Sequence, residues 1–182
     1  LVQGLHKMEY RGYDSAGIAL HQNNQIAHLR TLGKVKLLEE KMISEKPKSK
    51  LGIAHTRWAT HGEPSEENAH PHKSNERVYI VHNGIIENYI DLKEFLKKEG
   101  YKFSSQTDSE LIAHMLEYFL AKDNSMIDSM YLTKEKLDGA YAIAAIDKED
   151  DKNIIIARNK SPLLIGIGTD EFLAASDPLA IA

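Results

Sequence analysis

The stretch "GAYAIAAID", residues 139–147, is apolar at odd and even positions alike. Successive side chains of a strand point to opposite faces. A strand apolar on both faces is stable only where both faces of its sheet are covered. Three more short apolar runs follow: "NIIIARN" (153–159), "PLLIGIG" (162–168) and "EFLAAS" (171–176). Asp, Asn, Gly and Pro separate them, and "DKEDDKN" has hairpin-loop composition. Antiparallel sheets covered on both sides are the arrangement this pattern allows.

The preceding residues supply the cover. "LVQGLHKM" opens as a helix already under way, with Leu1, Leu5 and Met8 at helical spacing. Residues 15–20 and 26–32 read as strands of a hairpin joined by "HQNNQ". Val35, Leu38 and Met42 predict a helix over 34–44, and "EKPKSK" beyond it is a solvated basic loop. Strands are expected at 51–55 and at 77–82, the second stopping at "NG". Leu92, Phe95 and Leu96 share one face of a helix over 89–99 that Gly100 ends. "QTDSELIAHMLEYFL" is the clearest helix, with Thr107 or Asp108 as its cap and Glu110 at capping-box distance from Thr107. A further helix runs over about 125–137. Runs of strands beside runs of helices argue for an α+β fold: two stacked antiparallel sheets with helices outside.

At 182 residues the chain can form one compact domain with a core. A net charge of −4 gives no general attraction to nucleic acid or anionic lipid. No apolar run approaches the roughly 20 residues that span a bilayer. The absence of cysteine rules out disulfides and thiolate chemistry within these residues, and a cytoplasmic protein is the default reading. Without an initiator methionine or a terminal cap, the sequence reads as a fragment trimmed at both ends.

"GIAHTRWATHGEPSEENAHPH", residues 52–72, gathers His55, His61, His70, His72, Arg57 and the sole tryptophan, Trp58, with no apolar period. It is a metal site, a substrate-gripping loop or a solvated linker. The histidines do not match a helical metal spacing such as H-E-x-x-H. Their bland role is to hydrogen-bond loop backbone that has no ladder partner, above all at His55, His70 and His72. Arg57 at a strand end is suited to a bidentate carboxylate contact. Trp58 can exclude water from a site.

Asn83-Gly84 breaks an apolar strand. Such a pair usually makes a tight hairpin turn, yet "IIENYIDL" continues into a helical pattern. The Asn83 side-chain N–H and the Gly84 backbone N–H could instead form a two-donor pocket for a developing oxyanion. Asp108 at a helix start is explained by capping alone, but opposite an arginine it would complete a grip on a zwitterion. Gly166 and Gly168 lack the context of a dinucleotide site and read as a turn. Ser15 lacks the flanking glycine of a nucleophile elbow and reads as structural.

Four motifs together, "EYRGYDSAG", "GIAHTRWATHGEPSEENAHPH", "VHNGIIEN" and "TDSE", resemble the glutaminase domain of the glucosamine-6-phosphate synthase family. "RNKSPLLIGIG" and "ASDPLA" carry the resemblance to the end of the chain. It implies an N-terminal-nucleophile hydrolase-like four-layer αββα sandwich and a single, incomplete glutaminase domain over residues 1–182. It implies glutamine hydrolysis to glutamate and ammonia, with ammonia channelled to a C-terminal sugar-isomerase domain that makes glucosamine 6-phosphate from fructose 6-phosphate. A homodimer in the cytoplasm, feeding amino-sugar synthesis, with no cofactor, metal, nucleic acid or membrane partner, is expected on the same ground. By matching position, Arg57 binds the glutamine α-carboxylate and Asp108 its α-amino group. Trp58, Thr60 and His61 belong to a loop closing over glutamine, Trp58 gating the channel. Asn83 and Gly84 form the oxyanion hole, and Arg11 and Tyr13 lie near the site. The family's nucleophile is an N-terminal cysteine, and this chain has none. The residues given are therefore expected to be inactive alone, and a glutamine-binding module without a nucleophile is the alternative.

Overall fold

The computed structural model describes residues 1–58 and 62–182. The elements in order are α1 (Val2–Met8), β1 (Ser15–Gln22), β2 (Gln25–Leu32), α2 (Val35–Glu45), β3 (Gly52–Arg57), β4 (His72–Ser74) and β5 (Val78–Ile86). They continue with α3 (Tyr89–Lys98), α4 (Glu110–Leu120), α5 (Met126–Lys134), β6 (Gly139–Asp147), β7 (Ile155–Asn159), β8 (Leu164–Ile167) and β9 (Phe172–Ala175). One sheet has the order β2-β1-β3, a second β4-β5-β6-β7, and every strand pairing in them is antiparallel.

The two sheets stack through Ala19, Leu51 and Ile53 on one side and Tyr79 and Ile146 on the other. The outer face of the first sheet packs Ala16, Ile18, Leu20 and Leu29 against Leu5 of α1 and Val35 and Leu38 of α2. The outer face of the second packs Val78, Ile80, Ile86, Tyr141 and Ile143 under Leu96 of α3, Leu111, Ile112, Met115 and Leu116 of α4 and Met130 of α5. The layers are thus α, β, β, α, as the two-faced apolarity of residues 139–147 requires. Strands β8 and β9 form a separate two-stranded sheet, joined through a turn in which the Gly168 N–H donates to the Glu171 carbonyl at 2.9 Å. Among the described residues no helix is long and apolar enough to cross a membrane.

Four local expectations change. Strand β5 does not stop at Asn83-Gly84 but pairs onward with β6 to Ile86. Gly84 permits this: its φ is +143°, and a Cβ there would meet the Ala140 carbonyl oxygen at 2.0 Å. A side chain would push the ladder apart, so the glycine lets the strand run on instead of turning. Helix α4 starts at Glu110 behind Ser109, without a side-chain cap. Neither Thr107 nor Asp108 caps it, because their oxygens serve His72 and the Ile86 N–H. Glu110 instead reaches back to the N–H groups of Ser104 and Ser105, both within 3.1 Å. Helix α5 is shorter than expected, beginning behind Ser125, whose hydroxyl accepts the Asp128 N–H at 3.1 Å. Strand β4 begins at the end of the histidine-rich segment, where no strand was expected.

Candidate active site

A cavity of about 290 Å³ opens where β3, β5 and the start of α4 meet. Arg57, Asp108, Asn83 and Gly84 line it together, with Trp58 and Arg11 at its edge. The topology accounts for the meeting. β3 pairs with β1 and delivers Arg57 at its last position, opposite Ser15. β5 delivers Asn83 and Gly84 from the other sheet, and Asp108 precedes α4.

Arg57 is buried, and its guanidinium is held. Nη1 lies 3.4 Å from Asp14 Oδ1, and Nη2 donates to the Gly62 carbonyl at 3.3 Å. The Asp14 backbone N–H also donates to the Arg57 carbonyl at 2.7 Å, so residue 14 fixes both ends of the arginine. The Ser15 hydroxyl donates to the same Asp14 oxygen at 2.8 Å, which makes Ser15 structural as expected. Asp14 Oδ2 is buried with no hydrogen-bond partner among the described residues. Sequence reading assigned Asp14 no role. Its signal was a carboxylate immediately before a strand.

Asp108 is also buried, and β5 grips its carboxylate. Oδ2 accepts the Ile86 N–H at 2.8 Å, and Oδ1 accepts the Ser109 hydroxyl at 3.3 Å. A carboxylate offers about four acceptor positions, so capacity remains for a cationic N–H group. Asn83 and Gly84 are exposed at the cavity, and the Asn83 side chain makes no hydrogen bond among the described residues. Trp58 is 64% exposed and lies over Gly12, where a Cβ would meet its Cζ3 at 1.5 Å. Gly12 has φ +88°, a second reason for glycine at that position. The expectations for Thr60 and His61 fall outside the described residues. Arg11 reaches the cavity edge while its guanidinium engages Ser176 Oγ at 3.3 Å and Asp177 at 3.6 Å. Tyr13 is half-buried and does not line the cavity.

His55, His70, His72 and His82 form a packed group with few loop-backbone contacts. The rings of His55 and His70 are 4.2 Å apart, and those of His70 and His72 are 4.6 Å apart. His70 Nδ1 accepts the His82 N–H at 3.4 Å, and His72 Nε2 pairs with Thr107 Oγ1 at 3.0 Å. Their partners are thus strand β5 and a side chain ahead of α4, which corrects the loop-backbone reading. Burial pushes His55 and His72 down to about 3 and His82 to about 4, with His70 also well below the usual range. All four imidazoles are neutral at pH 7, and neutral rings can pack face to edge without mutual repulsion. Among the described residues no three His, Asp or Glu side chains converge as metal ligands.

An αββα sandwich with a cavity presenting a cation, an anion and a pair of potential N–H donors defines an N-terminal-nucleophile hydrolase-like amidotransferase fold. A family model described as "Glutamine amidotransferase domain" matches residues 55–182, and the chain belongs to that family. It is 51% identical over 182 residues to the glutamine–fructose-6-phosphate aminotransferase (isomerizing) of Haemophilus ducreyi, and 45% identical over 183 residues to that of Clostridium tetani. Each match covers all of this chain and 30% of the relative, so the chain spans about a third of those proteins. Among solved structures, the B. subtilis glutamine phosphoribosylpyrophosphate amidotransferase complexed with ADP and GMP superimposes with a TM-score of 0.84 at 27% identity. That match covers 99% of this chain and 39% of the other.

Proposed function

We propose that this chain binds glutamine and orients its side-chain amide for hydrolysis to glutamate and ammonia. The observation that carries the reading is that Arg57 and Asp108 line one cavity whose wall continues into Asn83 and Gly84. A glutamine α-carboxylate meets the Arg57 guanidinium, already oriented by Asp14 and the Gly62 carbonyl. Its ammonium group donates to the free acceptor positions of Asp108. The side chain then extends toward Asn83 and Gly84, whose N–H groups receive the carbonyl oxygen as it becomes an oxyanion. Trp58, Thr60 and His61 complete the enclosure, with Arg11 and Tyr13 supporting it nearby.

The nucleophile in this reading is a cysteine thiolate belonging to the full-length polypeptide outside these residues, since none of the 182 is cysteine. Its sulfur attacks the amide carbon, the C–N bond breaks, and ammonia leaves with the transferred proton. Water then cleaves the thioester to glutamate and restores the thiol. The residues given are inactive without it. In the full-length protein the ammonia passes to a C-terminal sugar-isomerase domain and aminates fructose 6-phosphate. The names of the relatives support that assignment; a dimeric cytoplasmic enzyme of amino-sugar synthesis is part of the same proposal and rests on the sequence resemblance alone. The absence of cysteine here also favours a second reading, a glutamine-binding module without hydrolysis.

Glutamate release from glutamine by the full-length polypeptide separates the two. Turnover that thiol alkylation abolishes is the expected result. Saturable glutamine binding without any glutamate would establish the binding module, and no glutamine binding would remove both.

A further inference from the structure

His82 stands between the two working ends of the cavity. It immediately precedes Asn83 and touches Ser109, which immediately follows Asp108. Its Nδ1 lies 2.8 Å from Ser109 Oγ, and that hydroxyl lies 3.3 Å from Asp108 Oδ1. A serine hydroxyl has one proton to give. As a carboxylate, Asp108 only accepts, and we assign the serine proton to it. The His82 Nδ1 must then carry its own proton and donate it to the serine oxygen. This assignment leaves Nε2 bare, and Nε2 is buried with no partner among the described residues. A second proton at Nε2 would have no acceptor, and burial keeps the ring neutral by holding His82 at about 4. The other side of the residue is fixed as well, because its backbone N–H donates to His70 Nδ1.

We propose that His82 is a positioning residue for Asp108, acting through the Ser109 hydroxyl. Strand β5 then grips the carboxylate at two points: Ile86 N–H holds Oδ2 directly, and His82 holds Oδ1 by relay. One bond alone leaves the carboxylate free to rotate about its last torsion. Two bonds from the strand that also carries Asn83 and Gly84 make the ammonium-binding end and the oxyanion end one rigid unit. Misorientation of Asp108 weakens its grip on the ammonium group while the amide end of the site stays intact.

The inference rests on Asp108 receiving the α-amino group, and a double-mutant cycle on the full-length polypeptide separates the two claims. His82→Leu and Ser109→Ala should each raise the glutamine KM about 5- to 10-fold, less than the outright loss of a hydrogen bond to a charged group because Ile86 N–H still holds Oδ2, with kcat nearly unchanged. His82→Asn, which offers an amide N–H near the position of Nδ1–H, should recover part of the loss. Combined with Asp108→Asn, neither substitution should raise KM further, because residues acting through one group are non-additive. Should His82→Leu fail to fold, Ser109→Ala tests the same relay by deleting one oxygen. If Asp108→Asn raises KM and Ser109→Ala multiplies it independently, or Ser109→Ala leaves KM unchanged, the relay is overturned and the reading of Asp108 stands. If Asp108→Asn leaves KM unchanged, both are overturned.

Discussion

The two ends of the cavity are built in opposite ways. At the Arg57–Asp108 end the charged groups are buried, and each carries at least two contacts before any ligand arrives. At the Asn83–Gly84 end the residues are exposed, and the asparagine amide makes no hydrogen bond among the described residues. Buried charges are tolerable only when paired and hydrogen-bonded, so the first end must be prearranged at all times. An oxyanion exists only during reaction, and donors for it gain by staying uncommitted until then. The comparison teaches that one cavity combines a buried, prearranged charged end with an exposed end whose asparagine amide is uncommitted.

The contrast can be broken by substitution in the full-length protein, and the amide end should give the largest effect. Asn83→Ala should lower kcat by about 10²–10³-fold, the usual loss for one oxyanion donor, with KM little changed. A steady-state profile showing a raised KM and normal kcat would move Asn83 to the binding end. Arg57→Ala should do the reverse. Loss of a charge-assisted pair worth about 1.5–3 kcal/mol should raise the glutamine KM roughly 10- to 150-fold. It should also lower thermal stability, because the half-buried Asp14 carboxylate would lose the Arg57 cation that pairs with it. Unaltered glutamine kinetics in that variant would remove Arg57 from the site.

Gly84→Ala sharpens the comparison differently. The new Cβ would meet backbone oxygen of Ala140, which cannot rotate away, so β5 and β6 must separate. A destabilisation of about 1–3 kcal/mol or more is expected, visible in the denaturation midpoint. An unchanged midpoint would mean that the close approach at residue 84 is not real.

The histidine group offers the smallest effect per residue. The folded pKa of His72, about 3, lies below that of an unfolded histidine near 6.5. Between those values the unfolded chain binds the extra proton. Stability is therefore complete above the unfolded value and falls as pH drops through it toward the folded one. The slope is about 1.4 kcal/mol per pH unit for each such histidine. His72→Gln should remove close to one proton from the slope measured by denaturation between pH 4 and 6. An identical slope would mean that His72 is not held neutral.

Much of the fold was readable because its signals are local. The two-faced apolarity of residues 139–147 required cover on both sides, and the packing of β6 between Tyr79 and the α4 layer supplies it. Strand β4 escaped because three polar residues, His72, Lys73 and Ser74, carry no period, and only its pairing with β5 defines it. Arg57, Asp108, Asn83 and Gly84 could be named individually from strand ends and a helix start. Their convergence could not, since it depends on sheet stacking. Asp14 and His82 were missed for the same reason. Asp14 meets its partner 43 positions away, and His82 acts on a serine 27 positions away. The capping role expected for Asp108 failed because a strand N–H competed for the same oxygen and won.

The account depends most on Asp108 and Arg57 recognising the head of an amino acid. The direct test is glutamine-analogue discrimination: hydrolysis by the full-length protein of glutamine and of 4-carbamoylbutanoate, which lacks the α-amino group, before and after Asp108→Asn. The unaltered protein should prefer glutamine strongly in kcat/KM, and the substitution should collapse that preference toward unity by weakening glutamine alone. A preference that survives the substitution intact would contradict the account.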